Sequence, residues 1–120
     1  MTHVLIIDDS PTEIYVFKAM LEKNQIQVSV ANNGEEGIAK ALEVKPDLIL
    51  MDVVMPDKNG FQATRDLSRN PETSIIPVII ITTKDQETDK IWGMRQGAKD
   101  YLVKPANEED LMASIEKALS

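Results

Sequence analysis

The stretch LILMDVVMPDKNG, residues 48–60, decides the fold, because an apolar run there passes directly into an aspartate and then into a turn. Its first part, within residues 47–51, is nearly continuously hydrophobic, which is typical of a central strand that is covered on both faces. Asp52 follows at the end of this predicted strand. The strand would hold an ionisable carboxylate rigidly at the edge of the sheet while leaving it reachable, and this position calls for a chemical reason.

The same pattern extends outward along the chain, because short β-branched runs alternate with longer amphipathic stretches. This alternation predicts βα units around a parallel sheet. The run at 26–30 alternates apolar and polar residues, so it is predicted to be an edge strand. Connections this short leave no room for a second domain, so we expect one domain over residues 1–120 with no output domain. The predicted strands are 3–7, 26–30, 47–51, 77–82 and 100–103.

The segments between the predicted strands carry helix start signals. In SPTE, Ser10 can cap the first helix, Pro11 takes its first position and Glu13 completes a capping box. Asparagine is another favoured N-cap residue, and three asparagines precede later helices. The predicted caps of the second, third and fifth helices are Asn33, Asn59 and Asn107.

The fourth helix is predicted from about Glu87 to Gln96, with Ile91 and Met94 facing inward. Gly97 suits the left-handed conformation that ends many helices. Trp92 lies one step from the apolar stripe and is expected to be half exposed. Core packing and contact with a partner both remain open for it.

Composition excludes several classes of function. The chain has no cysteine and a single histidine, His3, so disulfides, thiolate chemistry, cysteine-based zinc sites and multi-histidine metal sites are excluded. The net charge of −7 opposes binding to nucleic acid. No apolar run approaches the ~20 residues that a bilayer span needs, and the first residues lack the features of a signal peptide. A cytoplasmic protein with no membrane partner is expected.

Five polar side chains fall at predicted strand ends. Right-handed crossovers bring the carboxyl ends of parallel strands to one edge of the sheet, where ligands bind in such folds. Three clustered carboxylates repel one another, and oxygen donors favour a hard cation such as Mg²⁺ or Mn²⁺. Three negative charges against one lysine leave about two, which a divalent cation would cancel. The five residues are Asp8, Asp9, Asp52, Thr82 and Lys104.

Asp52 is the best candidate for a nucleophile. An ionised carboxylate can attack a phosphoryl group when a metal and a lysine hold the developing charge, and Thr82 would then hydrogen-bond a transferred oxygen. Each residue alone has a simpler explanation, because paired aspartates often cap helices and a threonine often ends a strand. Their joint occurrence at the ends of strands 1, 3, 4 and 5 favours a site.

Four segments together resemble, in order and spacing, the receiver domain of bacterial two-component response regulators. The segments are LIIDDSP, LILMDVVMPDKNG, VIIITTKD and GAKDYLVKP. The likeness covers almost the whole chain and is closest to stand-alone receivers of type IV pilus twitching-motility systems. It implies a flavodoxin-like (CheY-like) doubly wound α/β fold, with five helices and five parallel strands in the order 2-1-3-4-5.

The resemblance also implies roles for the residues at the strand ends. Asp52 would accept a phosphoryl group from a CheA-like histidine kinase, and Lys104, before a cis peptide to Pro105, would pair with that group. Asp9, Asp52 and the backbone carbonyl of Val54 would ligate Mg²⁺ directly. Asp8 would act mainly through a bound water.

Signalling is implied to work by a shift between two arrangements of the domain. Thr82 would move toward the phosphoryl group and Tyr101 would swing inward, which would alter the face formed by the fourth helix, fifth strand and fifth helix. A monomer that docks a downstream protein through this face is expected, and it would catalyse only its own phosphorylation and dephosphorylation. A phosphate sink that drains a shared kinase is equally compatible.

Three other functions fit the same residues less well. A phosphohydrolase of the haloacid dehalogenase type needs a second aspartate two residues after its nucleophile, where this chain has Val54. A flavin-binding flavodoxin needs a phosphate-cradling loop after the first strand, and the carboxylates of DDSPTE would repel the phosphate. A receiver that binds partners without phosphorylation would not need the complete set of five residues.

Overall fold

The computed structural model covers residues 1–120 and contains one parallel sheet. The sheet has the order β2-β1-β3-β4-β5 and confirms the predicted fold class; its strands are β1 (His3–Ile7), β2 (Gln27–Ala31), β3 (Leu48–Met51), β4 (Val78–Thr82) and β5 (Asp100–Val103). β2 lies at an edge, as its alternating sequence predicted, and β3 lies in the centre. The strand that leads to Asp52 is therefore flanked on both sides.

Five helices connect and cover the strands. They are α1 (Pro11–Lys23), α2 (Gly34–Val44), α3 (Gly60–Arg69), α4 (Glu87–Arg95) and α5 (Glu108–Leu119). Four begin with the predicted cap, whose side-chain oxygen accepts a hydrogen bond from the backbone amide three residues later and so satisfies a free helix-end donor. These caps are Ser10, Asn33, Asn59 and Asn107.

The capping box predicted for α1 does not form. The Ser10 amide donates to Asp8 Oδ1 at 2.9 Å, so it has no need of the Glu13 side chain. The reason is local, because Asp8 lies two residues before Ser10 and its side chain accepts from the amide two residues on, as in an Asx-turn. A capping box forms instead in α3, where Asn59 and Gln62 bond each other's backbone amides.

The core consists of two layers, one on each face of the sheet. Successive strand residues point to opposite faces, so Leu48 and Leu50 join one cluster while Ile49 and Met51 join the other. The first cluster also contains residues of α1 and α5, and the second contains residues of α2 and α3. This two-sided burial explains why the predicted central strands are continuously apolar.

The predicted inward face of α4 is wrong. Ile91 and Met94 are 46% and 41% exposed, whereas Gly93 is buried. A Cβ atom on Gly93 would lie 2.9 Å from the Ile80 side chain and 3.0 Å from Tyr101, so the helix approaches the sheet through its one residue without a side chain. The larger apolar residues are consequently left on the outside, beside the half-exposed Trp92.

Gly60 fixes the start of α3 against the peptide that carries Asp52. A Cβ atom at this position would lie 2.0 Å from the Asp52 carbonyl oxygen and 2.7 Å from Val53 Cα. The Gly60 amide also donates to the Val53 carbonyl at 2.9 Å. The loop after Asp52 is therefore closed tightly at its end.

We expect Gly60→Ala to lower the free energy of unfolding by about 2 to 3 kcal/mol, because a backbone overlap cannot be relieved by a rotamer change. Urea denaturation would measure the loss. Arg65→Ala, at an exposed position of α3, is the control and should leave the stability almost unchanged. Equal stability of the two variants would contradict the close approach at Gly60.

Candidate functional site

Neighbouring strands bring three carboxylates together at one edge of the sheet. β1 and β3 pair in register with Ile7 opposite Met51, so Asp8 and Asp52 follow adjacent strand ends. One carboxylate oxygen from each of Asp8, Asp9 and Asp52 lies within 4.8 Å of the other two. Asp8 and Asp52 are buried, whereas Asp9 is exposed. This set of three oxygens is the donor chemistry that Mg²⁺ and Mn²⁺ prefer.

Lys104 brings a positive charge into this cluster from the end of β5. Its backbone amide donates to the Thr82 carbonyl, and its peptide bond to Pro105 is cis, as the resemblance implied. The ammonium lies 2.9 Å from Asp8 Oδ2 and 3.6 Å from Asp52 Oδ1. Lys104 therefore hydrogen-bonds Asp8 and stands close to Asp52 without bonding it directly.

The pKa of Asp52 is raised from its ordinary value. Burial is the largest cause, because it disfavours the charged carboxylate, and the negative charge of Asp8 adds to it. Lys104 pulls in the opposite direction without cancelling the rise. Any further positive charge beside Asp52 would therefore stabilise its charged carboxylate form.

Thr82 and Tyr101 both contact the backbone of Lys84. Thr82 is fully buried at the end of β4, and its Oγ1 accepts a long hydrogen bond of 3.4 Å from the Lys84 amide. The Tyr101 ring lies inside the protein, its hydroxyl donates to the Lys84 carbonyl at 2.8 Å, and burial raises its pKa to about 12. The tyrosine expected to swing inward is thus already buried in this structure.

A shallow apolar cleft lies between the loop after Asp52 and α4. Trp92, 48% exposed, is one of its walls, as its sequence position suggested. The other lining residues are Val53, Val54, Met55, Asn59, Phe61 and Lys84. Since Val54 belongs to the predicted metal-binding loop, Trp92 can report optically on that loop.

One residue beside the site carries no sequence signal, and the single histidine lies away from the site. Phe17 of α1 is not among the site residues that the sequence predicts, yet its ring centre lies 5.8 Å from the Lys104 ammonium. No sequence signal marks this contact, because it joins α1 to the end of β5. His3 lies at the opposite end of β1 from the cluster and hydrogen-bonds Ser29, so it takes no part in the site.

None of the five helices combines the length and apolar character that crossing a membrane requires.

Comparison with known proteins identifies the family and agrees with the fold. The sequence model of the response regulator receiver domain matches residues 4–116. Protein PilH of Pseudomonas aeruginosa is 61% identical over 120 residues, covering 100% of this chain and 99% of PilH. Response regulator PleD of Caulobacter vibrioides is 38% identical over 112 residues, which cover 93% of this chain but only 25% of PleD. The solved structure of chemotaxis protein CheY4 of Vibrio cholerae superposes with a TM-score of 0.93 at 31% identity, covering 99% of both chains.

We expect Asp52→Asn to stabilise the protein at pH 7 without divalent cations. A raised folded-state pKa means that ionising Asp52 costs folding free energy as the pH rises through the unfolded and then the folded pKa. The gain should disappear below about pH 4, where the carboxyl is neutral in both states. Urea midpoints across pH would measure it, with Asp57→Asn, at an exposed position, as control. A loss of stability at pH 7 would mean that attraction to Lys104 outweighs burial.

Proposed function

Since this chain belongs to the response regulator receiver domain family, we propose that it accepts a phosphoryl group on Asp52 from a histidine kinase, in a reaction that depends on Mg²⁺. The observation that carries the proposal is the position of the Asp52 carboxylate, which lies 3.6 Å from the Lys104 ammonium and shares a cluster with Asp8 and Asp9. A buried nucleophile of this kind needs positive charge on its flanks, and the site is arranged to supply it.

The transfer step uses groups that the fold already holds in place. An Asp52 oxygen forms a bond to phosphorus while the bond from phosphorus to the donor imidazole breaks, and the bonding electrons remain on that nitrogen, which takes a proton from solvent. Asp52 stays aligned because its amide donates to the Ile7 carbonyl at 2.9 Å. Lys104 would pair with the phosphoryl oxygens, and the Thr82 hydroxyl would donate to one of them.

Bound Mg²⁺ would neutralise charge that builds up on the phosphoryl oxygens, and Mn²⁺ would suit the same donors. Asp9, Asp52 and the backbone carbonyl of Val54 would hold it. Both oxygens of Asp8 are already engaged, one by the Ser10 amide and the other by Lys104. This supports an indirect role for Asp8, through a metal-bound water.

Output would pass to another protein through the face formed by α4, β5 and α5. Phosphorylation would draw the Thr82 hydroxyl toward Asp52 and favour the arrangement in which Tyr101 is buried, which is a population shift. The net charge of −7 opposes nucleic acid as the target. Five large apolar residues of these three elements are exposed and support protein docking: Ile91, Trp92, Met94, Val103 and Leu119.

The likeness to PilH over the full length of both chains supports a place in type IV pilus twitching motility. A CheA-like histidine kinase is the proposed donor, and a cytoplasmic monomer is the proposed form of the protein. Timing phosphoryl transfer from candidate phosphorylated kinases would identify the donor.

We expect Asp52→Asn to remain unphosphorylated when the wild type takes up one phosphoryl group from acetyl phosphate and Mg²⁺, because the amide is not a nucleophile at phosphorus. Intact mass measures the uptake. Asp57→Asn removes an exposed carboxylate from the loop that follows and should be phosphorylated like the wild type. Uptake by Asp52→Asn equal to the wild type would overturn the assignment.

We expect Asp9→Asn to weaken Mg²⁺ binding by at least about tenfold. Loss of a residue that only hydrogen-bonds a metal ligand already lowers metal affinity by about tenfold, and Asp9 is proposed to bind the metal directly. Trp92 fluorescence provides the titration signal, since the chain has one tryptophan. Asp85→Asn, which removes an equal charge from an exposed position near α4, should keep the wild-type affinity. Equal affinities of the two variants would remove Asp9 from the metal site.

A further inference from the structure

The buried ammonium of Lys104 has more protons than oxygen partners. A lysine ammonium carries three donors, and the Lys104 side chain is only 7% exposed. Asp8 Oδ2 accepts one hydrogen bond at 2.9 Å, while Asp52 Oδ1, at 3.6 Å, is an ion-pair partner beyond hydrogen-bond range. The Phe17 ring is a further neighbour of the ammonium. Its centre lies 5.8 Å from the Lys104 nitrogen, within the range of a cation–π interaction.

Phe17 is well suited to hold a charge in a fixed place. Its side chain is 2% exposed and packs in the core cluster that α1 and α5 share with one face of the sheet. Leu21, one turn later in α1, is an aliphatic residue that is fully buried in the same cluster. Packing alone would therefore be served by an aliphatic residue at position 17, whereas attraction to Lys104 requires a ring.

We propose that Phe17 is a positioning residue for phosphoryl acceptance, and that its ring face keeps the Lys104 ammonium beside Asp52. The proposal rests on the function proposed above. The carboxylates that now hold Lys104 are the groups that Mg²⁺ and the phosphoryl group would engage. The ring is uncharged, binds no divalent cation and is anchored in the core, so it is the partner that Lys104 keeps throughout the reaction.

The proposal predicts a change in the phosphorylation rate without a change in the affinity for Mg²⁺. Weakening the negative face of the ring should slow phosphorylation at saturating Mg²⁺, because the ammonium is then held less firmly where the phosphoryl oxygens arrive. The affinity for Mg²⁺ should not fall, since Phe17 contacts none of the proposed metal ligands through a polar group. A purely structural role would instead change stability and would not depend on the electron density of the ring.

Fluorinated phenylalanines at position 17 separate these effects, because fluorine withdraws electron density from the ring face and changes its shape little. We expect the rate constant for phosphorylation of the full chain by acetyl phosphate to fall stepwise with one, two and three fluorines, reaching about fivefold for the trifluoro ring. Urea midpoints and the Mg²⁺ affinity read from Trp92 should stay at wild-type values. Phe17→Leu should be slowed at least as much.

Phe61 is the matched control, because it is the only other phenylalanine in the chain and is buried in the cluster on the opposite face of the sheet. The same fluorine series at Phe61 should leave the rate unchanged. A rate that is flat or rises with fluorine number at Phe17, or that falls equally in both series, overturns the proposal while leaving Asp52 as acceptor. If the unmodified protein takes up no phosphoryl group at all, the proposed function fails and this inference fails with it.

Discussion

The structure depends on the balance between three carboxylates and one ammonium at a single edge of the sheet. Asp52 is buried in this cluster although Asp8 repels it, and Lys104 offsets only part of the cost. The strand order makes the balance achievable, because β1 lies directly beside β3 and brings Asp8 and Asp9 next to Asp52. The Lys104 side chain starts at the end of β5 and extends past the end of β4 to reach Asp8 and Asp52. Added positive charge beside Asp52, or uptake of a proton, would consequently relieve the repulsion in this cluster.

Most of the fold was predictable because both faces of the sheet are covered. Two-sided burial makes β3 and β4 continuously apolar, and the predicted strands 3–7 and 100–103 agree with the structure to the residue. Helix starts were predictable where a cap acts locally, as Asn33 and Asn107 do. Prediction failed where a contact outside the predicted pattern decides the geometry, and this contact is local for Ser10 but lies across the sheet for α4. The Ser10 amide is taken by Asp8, and α4 packs through Gly93, which a count of apolar residues at helical spacing cannot reveal.

In the candidate site, too, some features were predictable from the sequence and others were not. The sequence identified four side chains that converge, because they lie within two residues of a strand end and parallel strands end at one edge; they are Asp8, Asp9, Asp52 and Lys104. It did not indicate how they pair. That Lys104 bonds Asp8 more closely than Asp52, and that a ring from α1 lies beside it, depends on side-chain paths across three strands. The strand ends fix where the backbone goes, but the shape of the surrounding core fixes where a long, flexible lysine comes to rest.

The contacts of Lys84 suggest how a change at Asp52 would reach the exposed face of α4. Its amide is held by Thr82 through a long hydrogen bond of 3.4 Å, whereas its carbonyl is held by Tyr101 at 2.8 Å. The longer of the two bonds therefore involves Thr82, at the end of β4, and the shorter involves Tyr101 of β5. The Thr82 hydroxyl remains free to donate to a phosphoryl oxygen, and a shift of this side chain would disturb only the longer bond, while Tyr101 stays attached to the segment that leads into α4. In such an arrangement a small change in contacts at the site biases the position of that segment, because the two ends of the coupling share one residue.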